Sequence, residues 1–209
     1  MAMQQSCFAL QYAADDLKAD RKLILQAVMQ DWHALQYAAE PLRADKQIVL
    51  KAMGKNWRAL QFAADAVKND KGFVMQAVRQ NWHVLQYASE ALRADRELVR
   101  LAVRSSCIAL QYAAPEIKAD RMFILEAVRE DWRSLKFADC SLKNDSSIVL
   151  EAVKQNGNAL QFASDAIRAD RNMVLRAMQQ DWHSIHFADD SLRAGMDIAL
   201  QGMSMRFHA

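Results

Sequence analysis

A 25-residue phrase returns eight times along this chain with no insertion or deletion between its copies. Residues 81–105 read NWHVLQYASEALRADRELVRLAVRS, and a shift of 25 in either direction finds NWRALQFAADAVKNDKGFVMQAVRQ or SCIALQYAAPEIKADRMFILEAVRE. The repeats begin at Ser6, Asp31, Asn56, Asn81, Ser106, Asp131, Asn156 and Asp181, with partial repeats over 1–5 and 206–209. A strict period of this length belongs to stacked arrays, in which each module leans only on its neighbours and cannot bury its apolar side alone. Two prolines and five glycines in 209 residues leave mostly helix broken by short joints. The expected fold is an all-α solenoid of eight tandem two-helix repeats, one helical-repeat array from end to end.

With positions numbered 1 to 25, position 1 is always Asp, Asn or Ser, the strongest helix N-caps, whose side-chain oxygen accepts from the first free backbone N–H groups. A first helix, A, is predicted over about positions 2 to 10. Its apolar members (2, 4, 5, 7, 8, 9) cover one broad arc and 3, 6 and 10 a narrow polar stripe. Positions 10 to 14 form the joint, where Pro41 and Pro115 fall and a helix interior would reject them. Position 15 is Asp in seven repeats (Asp20, Asp45, Asp70, Asp95, Asp120, Asp145, Asp170). It should cap a second helix, B, over about 16 to 24 with 18, 19, 20, 22 and 23 inward. Each helix is too short to stand alone in water. Trp at position 2 (Trp32, Trp57, Trp82, Trp132, Trp182) is expected to be buried. On that footing Trp82→Ala would cost about 3–5 kcal/mol. Cys7, Cys107 and Gly157 replace it in the other repeats, where looser packing or a filling neighbour is expected.

Repeats 1 and 5 agree at 16 of 25 positions, which points to duplication of a four-repeat block. The last repeat drifts furthest, with Gly195, Met196, Gly202 and Met205, so its second helix is expected to be the least stable. Neither end carries the polar cap that arrays normally place over a terminal core. The chain is therefore expected to be a piece of a longer array, or an array whose open ends meet partners or further copies.

The phrase ALQYA-x-x-x-L-R/K-A-D-R-x-x-V-L-x-A-V resembles the uncharacterised family catalogued as domain of unknown function 4116. The likeness runs from about residue 2 to 205. It implies a long array of this short two-helix module and brings no activity with it.

Bulk properties exclude more than they assign. The chain is 52% hydrophobic and 25% charged with a net charge of +2, a folded composition without the basic excess of a dedicated nucleic-acid binder. No run approaches a membrane span and no secretory signal opens the chain. The three cysteines, Cys7, Cys107 and Cys140, form no C-x-x-C pair. They read as reduced, mostly buried small hydrophobes of an intracellular, cytoplasmic protein. No phosphate loop, nucleophile elbow or zinc motif is present, so no enzymatic activity or cofactor is expected. His183, His186, Asp189 and Asp190 lie close enough in sequence for metal chemistry to be considered. Position 3 is His in other repeats as well, so these read as surface residues and no metal is expected.

Two kinds of surface row remain. The first is basic: position 13 is Lys or Arg throughout (among them Arg43, Lys68, Arg93, Lys118, Arg168). Position 16 is basic in six repeats (Arg21, Lys46, Lys71, Arg96, Arg121, Arg171). A cation in a helix's first turn opposes the macrodipole, so its recurrence calls for a cause. Pairing with the acids at 10 or 15 into an ion-pair ladder is the preferred account; a rail for RNA or another polyanion is the alternative. Gln at position 6 is expected to form an amide ladder or to bond a neighbouring joint. The second kind varies from repeat to repeat, as a heterogeneous partner would require. Its members are His33, Arg58, His83, Arg133 and His183 at position 3, and Leu101 at position 21. Leu101, Phe8, Ile108 and Met29 are candidate exposed anchors, although Phe8 and Ile108 also stand beside a missing Trp. The expected function is a scaffold holding a protein or peptide, with polyanion binding as the runner-up and assembly through the ends as a third reading.

Overall fold

A computed structural model describes residues 7–195, with side chains from Ala9 onward. The chain is an all-α solenoid of 25-residue repeats, and the described residues contain no strand. It divides into two compact bodies, Met1–Ala113 and Ala114–Ala209. The described repeats share one plan, so repeat 4 stands for the others, with only its contacts inside the first body described.

Helix A of repeat 4 is a 3₁₀-helix, Trp82–Tyr87. The Asn81 side chain caps it by accepting from the His83 N–H at 3.0 Å, and every described position 1 residue does the same for its own helix. It stops at position 7, three residues short of the predicted end, because Ala88 (φ −66°, ψ 154°) and Ser89 (φ −59°, ψ 160°) turn extended. That extension has a tertiary cause. It aims the Ser89 N–H at the Lys68 carbonyl of the preceding repeat, 3.1 Å away. The same bond, from position 9 to position 13 of the repeat before, recurs at Ala39, Ala64, Asp139, Ser164 and Asp189. A backbone N–H that finds a partner in the next layer has no need of the helical one.

The joint is itself helical, which the two-helix reading missed: Glu90–Arg93 forms one α-turn. Pro41 and Pro115 sit in the first turn of the equivalent segments, where the missing N–H would have had no partner anyway. Helix B, Arg96–Ser105, then runs ten residues. Its cap is as predicted: Asp95 accepts from the Glu97 and Leu98 N–H groups, each at 3.0 Å. All seven aspartates at position 15 cap their helices this way.

The core is narrower than the helical arc suggested. On helix A, positions 4, 5 and 8 are buried (Val84, Leu85, Ala88), whereas Trp82, Tyr87 and Ser89 are half-exposed. On helix B, 18, 19, 22 and 23 are buried (Leu98, Val99, Ala102, Val103), and position 20 faces outward in part. A six-residue 3₁₀ segment sweeps a tighter spiral than an α-helix and so turns fewer side chains inward. The Trp82→Ala cost accordingly falls short of the range for a buried ring. Cys107 and Gly157 are buried, so the Trp-less sites are closed rather than loose. Cys140 is exposed, contrary to the expectation for the cysteines as a group. Helix B of repeat 8, expected to be the least stable, lies outside the described residues.

Candidate functional site

Four of the six cations at position 16 are held by the repeat that follows. Arg21 Nε donates to Asp45 Oδ2 at 3.0 Å, and Arg121 Nε to Asp145 Oδ2 at 2.7 Å. Lys46 pairs with Asp70. Lys71 reaches Asp95 at 2.8 Å and Glu97 at 2.9 Å. Each of these aspartates therefore does two things: Oδ1 caps its own helix B, while Oδ2 takes a cation from the layer before. That arrangement accounts for a positive charge in a helix's first turn, since the carboxylate of the next layer offsets the macrodipole's opposition. Within the bodies, these cations form the rungs of a ladder.

The carboxylates feel it. The Lys46 bond, then the Phe73 N–H, hold Asp70 below the ordinary range. The Arg121 bond leads for Asp145. For Asp45 and Asp95 burial is the largest single influence and pushes upward, but the cation and backbone bonds together outweigh it and the net direction is down. A carboxyl group whose folded pKa is depressed stabilises the fold fully above its unfolded value, near 3.8, and that contribution is lost as pH falls through the lower folded value. Denaturant melts should therefore hold level down to about pH 5 and weaken below about pH 4. Asp95→Ala is expected to lose about 1–2 kcal/mol. Asp95→Asn keeps the capping oxygen and loses only the half-exposed ion pair, so it should lose less. Equal losses in the two variants would mean that the cap contributes nothing.

Position 13 is mixed. Lys18, Lys68, Arg168 and Arg193 pair with Asp15, Asp65, Asp165 and Asp190 three residues back. Arg43 and Arg93 pair with neither Glu40 nor Glu90, and the Nε–H groups of Arg43, Arg93 and Arg168 are buried without an acceptor. Lys118 is half-exposed and has partners of its own, as does the exposed Arg96. Arg171 is exposed; the position 15 residue of the repeat after it is Gly195, which has no carboxylate to offer. Among the described residues, Gln11, Gln36, Gln61, Gln86 and Gln161 at position 6 make no amide ladder. Gln161 Nε2 donates to Asn158 O in its own repeat at 2.9 Å. A glutamine that does bridge repeats is Gln155, at position 25. Its Nε2 donates to Val128 O at 2.6 Å and its Oε1 accepts the Trp132 N–H at 3.1 Å. Nothing in the repeat pattern pointed to it, because position 25 varies.

The position 3 side chains lie against the Trp rings. The rings of His33, His83 and His183 lie against Trp32, Trp82 and Trp182 at 3.7, 3.6 and 3.9 Å between centroids, the His83 pair stacked and the other two tilted by 31° and 34°. Nδ1 of each His donates to the position 1 cap, Asp31, Asn81 or Asp181, at 2.7–2.9 Å. Arg58 and Arg133 place their guanidinium groups 5.3 and 5.6 Å from the Trp57 and Trp132 ring centroids, within cation–π range. Four of the five Trp rings also meet the position 7 aromatic of the next repeat: Trp32 with Phe62, Trp57 with Tyr87, Trp82 with Tyr112, and Trp132 with Phe162, at 5.7–6.4 Å. His83 also stacks on Trp57, 4.9 Å away, so in the first body the row is continuous from Arg58 through Trp57, His83 and Trp82 to Tyr112.

The anchors need correction. Leu101 is half-buried and not exposed. Ile108 and Met29 are exposed as expected, and the side chain of Phe8 lies outside the described residues. Tyr12, Leu17, Met122, Leu175 and Trp182 are also exposed. Tyr12, Leu17, Leu175 and Trp182 lie at positions that the apolar pattern turns inward, whereas Met122 lies at position 17, which carries polar residues or glycine in the other repeats. His183 bonds Asp181, and Asp189 accepts from Ser191. Among the described residues no three metal-ligating side chains converge, and no helix is long and apolar enough to cross a membrane.

A family model described as Domain of unknown function (DUF4116) matches residues 1–43, 45–93, 95–143, 123–168 and 145–193. Three of these matches begin on the aspartate that caps helix B and run through the next repeat to position 13 of the one after it. No curated protein and no solved structure matches the chain. The matches overlap along almost the whole array, and the chain belongs to the domain of unknown function family DUF4116.

Proposed function

We infer that this chain is a non-enzymatic scaffold that holds a protein or peptide partner along its position 3 row. His33, Arg58 and His83 carry that role in the first body, and Arg133 and His183 in the second. The supporting observation is the stacking of these variable side chains on tryptophan faces, with the histidines also tied to their helix caps. Side chains already held in one geometry lose little freedom on binding, and Trp, Tyr and Arg are the residues that dominate interface energetics. Most of the position 16 cations are engaged between repeats, whereas the irregular row is half-exposed or exposed and open to a heterogeneous partner.

The polyanion reading draws on Arg43 and Arg93, which have no carboxylate partner. One experiment separates the two. Affinity capture from cell extract is run with the wild type, with His33→Ala/Arg58→Ala/His83→Ala/Arg133→Ala/His183→Ala, and with Arg43→Ala/Arg93→Ala. Melting curves confirm that each variant is folded. The expected result is a bound protein that the position 3 variant no longer captures and the arginine variant still does. Binding to heparin that collapses with added salt and disappears in the arginine variant would move the assignment to polyanions.

A further inference from the structure

The helix A segments of repeats 2, 3 and 4 (Trp32–Tyr37, Trp57–Phe62, Trp82–Tyr87) pack side by side within the first body. In a 3₁₀-helix residues three apart eclipse one another, so positions 3 and 6 share a face. Repeat 8 shows this directly, its His183 and His186 rings lying 6.5 Å apart. Two parallel rows therefore run along repeats 2 to 4: His33, Arg58 and His83 at position 3, and Gln36, Gln61 and Gln86 at position 6. Neither row holds an acid. The three glutamines are half-buried, and their side-chain amides make no hydrogen bond among the described residues. Arg58 is exposed with its guanidinium over Trp57, and it pairs with no carboxylate among the described residues. Nothing within the fold uses these three amides, yet Gln stands at position 6 in each of the first five repeats (Gln11, Gln36, Gln61, Gln86, Gln111).

We propose that these two rows are a track for an extended peptide, the glutamines holding its main chain while position 3 reads its side chains. The inference rests on the position 3 reading and names the form of its partner. A primary amide presents both an acceptor oxygen and N–H donors, the match for a peptide group with its own N–H and C=O. A polyanion backbone offers acceptors alone and would leave each glutamine oxygen unused. The main chain is the same at every residue, so a constant row suits it. Side chains differ, so the row that meets them varies. Packed helices lie about 8–10 Å apart, and a polyproline II segment advances about 9 Å per turn of three residues. Every third residue of such a segment therefore meets the next repeat on the same side. Its main chain makes no internal hydrogen bonds and is open to the amides. Opposite Arg58 the segment carries Asp or Glu, since a guanidinium held over an aromatic ring keeps its N–H donors for a carboxylate.

Short random peptides displayed on phage and selected against the full chain test it, with affinities of synthetic copies read by fluorescence anisotropy. The selected peptides are expected to share an acidic residue at one place. Gln36→Met/Gln61→Met/Gln86→Met keeps the side chains' length and removes their hydrogen bonds, so it should weaken every selected peptide by about tenfold or more. Gln61→Met alone should weaken them by less, and it replaces the triple variant if that one melts early. Arg58→Glu should exchange the acidic residue for Lys or Arg at that one place and leave the rest of the selected motif as it was. A folded glutamine variant that binds like the wild type overturns the proposal, as does an unchanged motif with Arg58→Glu. So does a wild type that selects no peptide while its position 3 row still captures a protein from extract, an outcome that leaves the scaffold reading standing and gives the partner a folded surface. Peptides bound equally by the fivefold position 3 variant would instead remove the position 3 reading, and this inference with it.

Discussion

Replacing Leu85 by alanine is expected to destabilise the array by about 2–5 kcal/mol, the range for emptying a buried leucine site. Leu85 is fully buried at position 5. Its helix packs on helix B of its own repeat, on helix B of the repeat before, and on helix A of each neighbour. The cavity would therefore open where four elements meet. Because each layer is supported only by its neighbours, the loss should also reduce cooperativity, so that thermal unfolding broadens as well as shifts. Leu50 supplies the control. It is equally large but half-exposed at position 20, and Leu50→Ala should cost clearly less. Equal shifts for the two variants, followed by circular dichroism in urea, would show that position 5 is not the centre of the core.

Gly157→Ala is expected to destabilise by about 1–3 kcal/mol, the cost of overpacking, against the usual rule that alanine stabilises helical segments. Five of the other seven repeats carry Trp at this position, so a repeat consensus would recommend a larger side chain here. The structure says otherwise. Without a ring to accommodate, helix A of repeat 7 has settled onto its own helix B. An added Cβ would overlap the Ala177 carbonyl oxygen and Ser184 Oγ, with the Ala177 carbonyl carbon at 3.1 Å. That carbonyl already accepts the Asp181 N–H at 3.0 Å, so it cannot move away freely. Gly54, in helix B of repeat 2, meets nothing within 4 Å of an added Cβ. Gly54→Ala should raise stability by up to about 1 kcal/mol. A neutral or stabilising Gly157→Ala would mean that the joint relaxes to the spacing of the Trp-bearing repeats.

Some of the site was legible in the sequence. The cations at position 16 were set beside the aspartates as a possible ladder, and in Arg21, Lys46, Lys71 and Arg121 that ladder is present. The sequence could not say whether position 10, position 15 or solvent would take each charge, because the answer depends on which layer comes within reach. The position 3 row was chosen for its variability alone. Its contact with Trp was hidden because successive residues of a helix leave its axis about 100–120° apart, so the repeat pattern alone does not set positions 2 and 3 side by side.

By itself the sequence determined the period, the capping residues at positions 1 and 15, the place of the two prolines, and the buried pairs of helix B. These are decided within one turn of chain, by side-chain oxygens meeting free N–H groups and by the spacing of apolar residues. The tertiary structure alone decided that helix A stops at position 7, that the joint is helical, that four of the five Trp rings meet the next repeat, and that Gly157 is tight. The stop, the Trp contacts and the tight glycine depend on bonds and contacts made about 20 to 30 residues away, in the adjacent layer or across the same repeat. Only stacking brings those partners within reach.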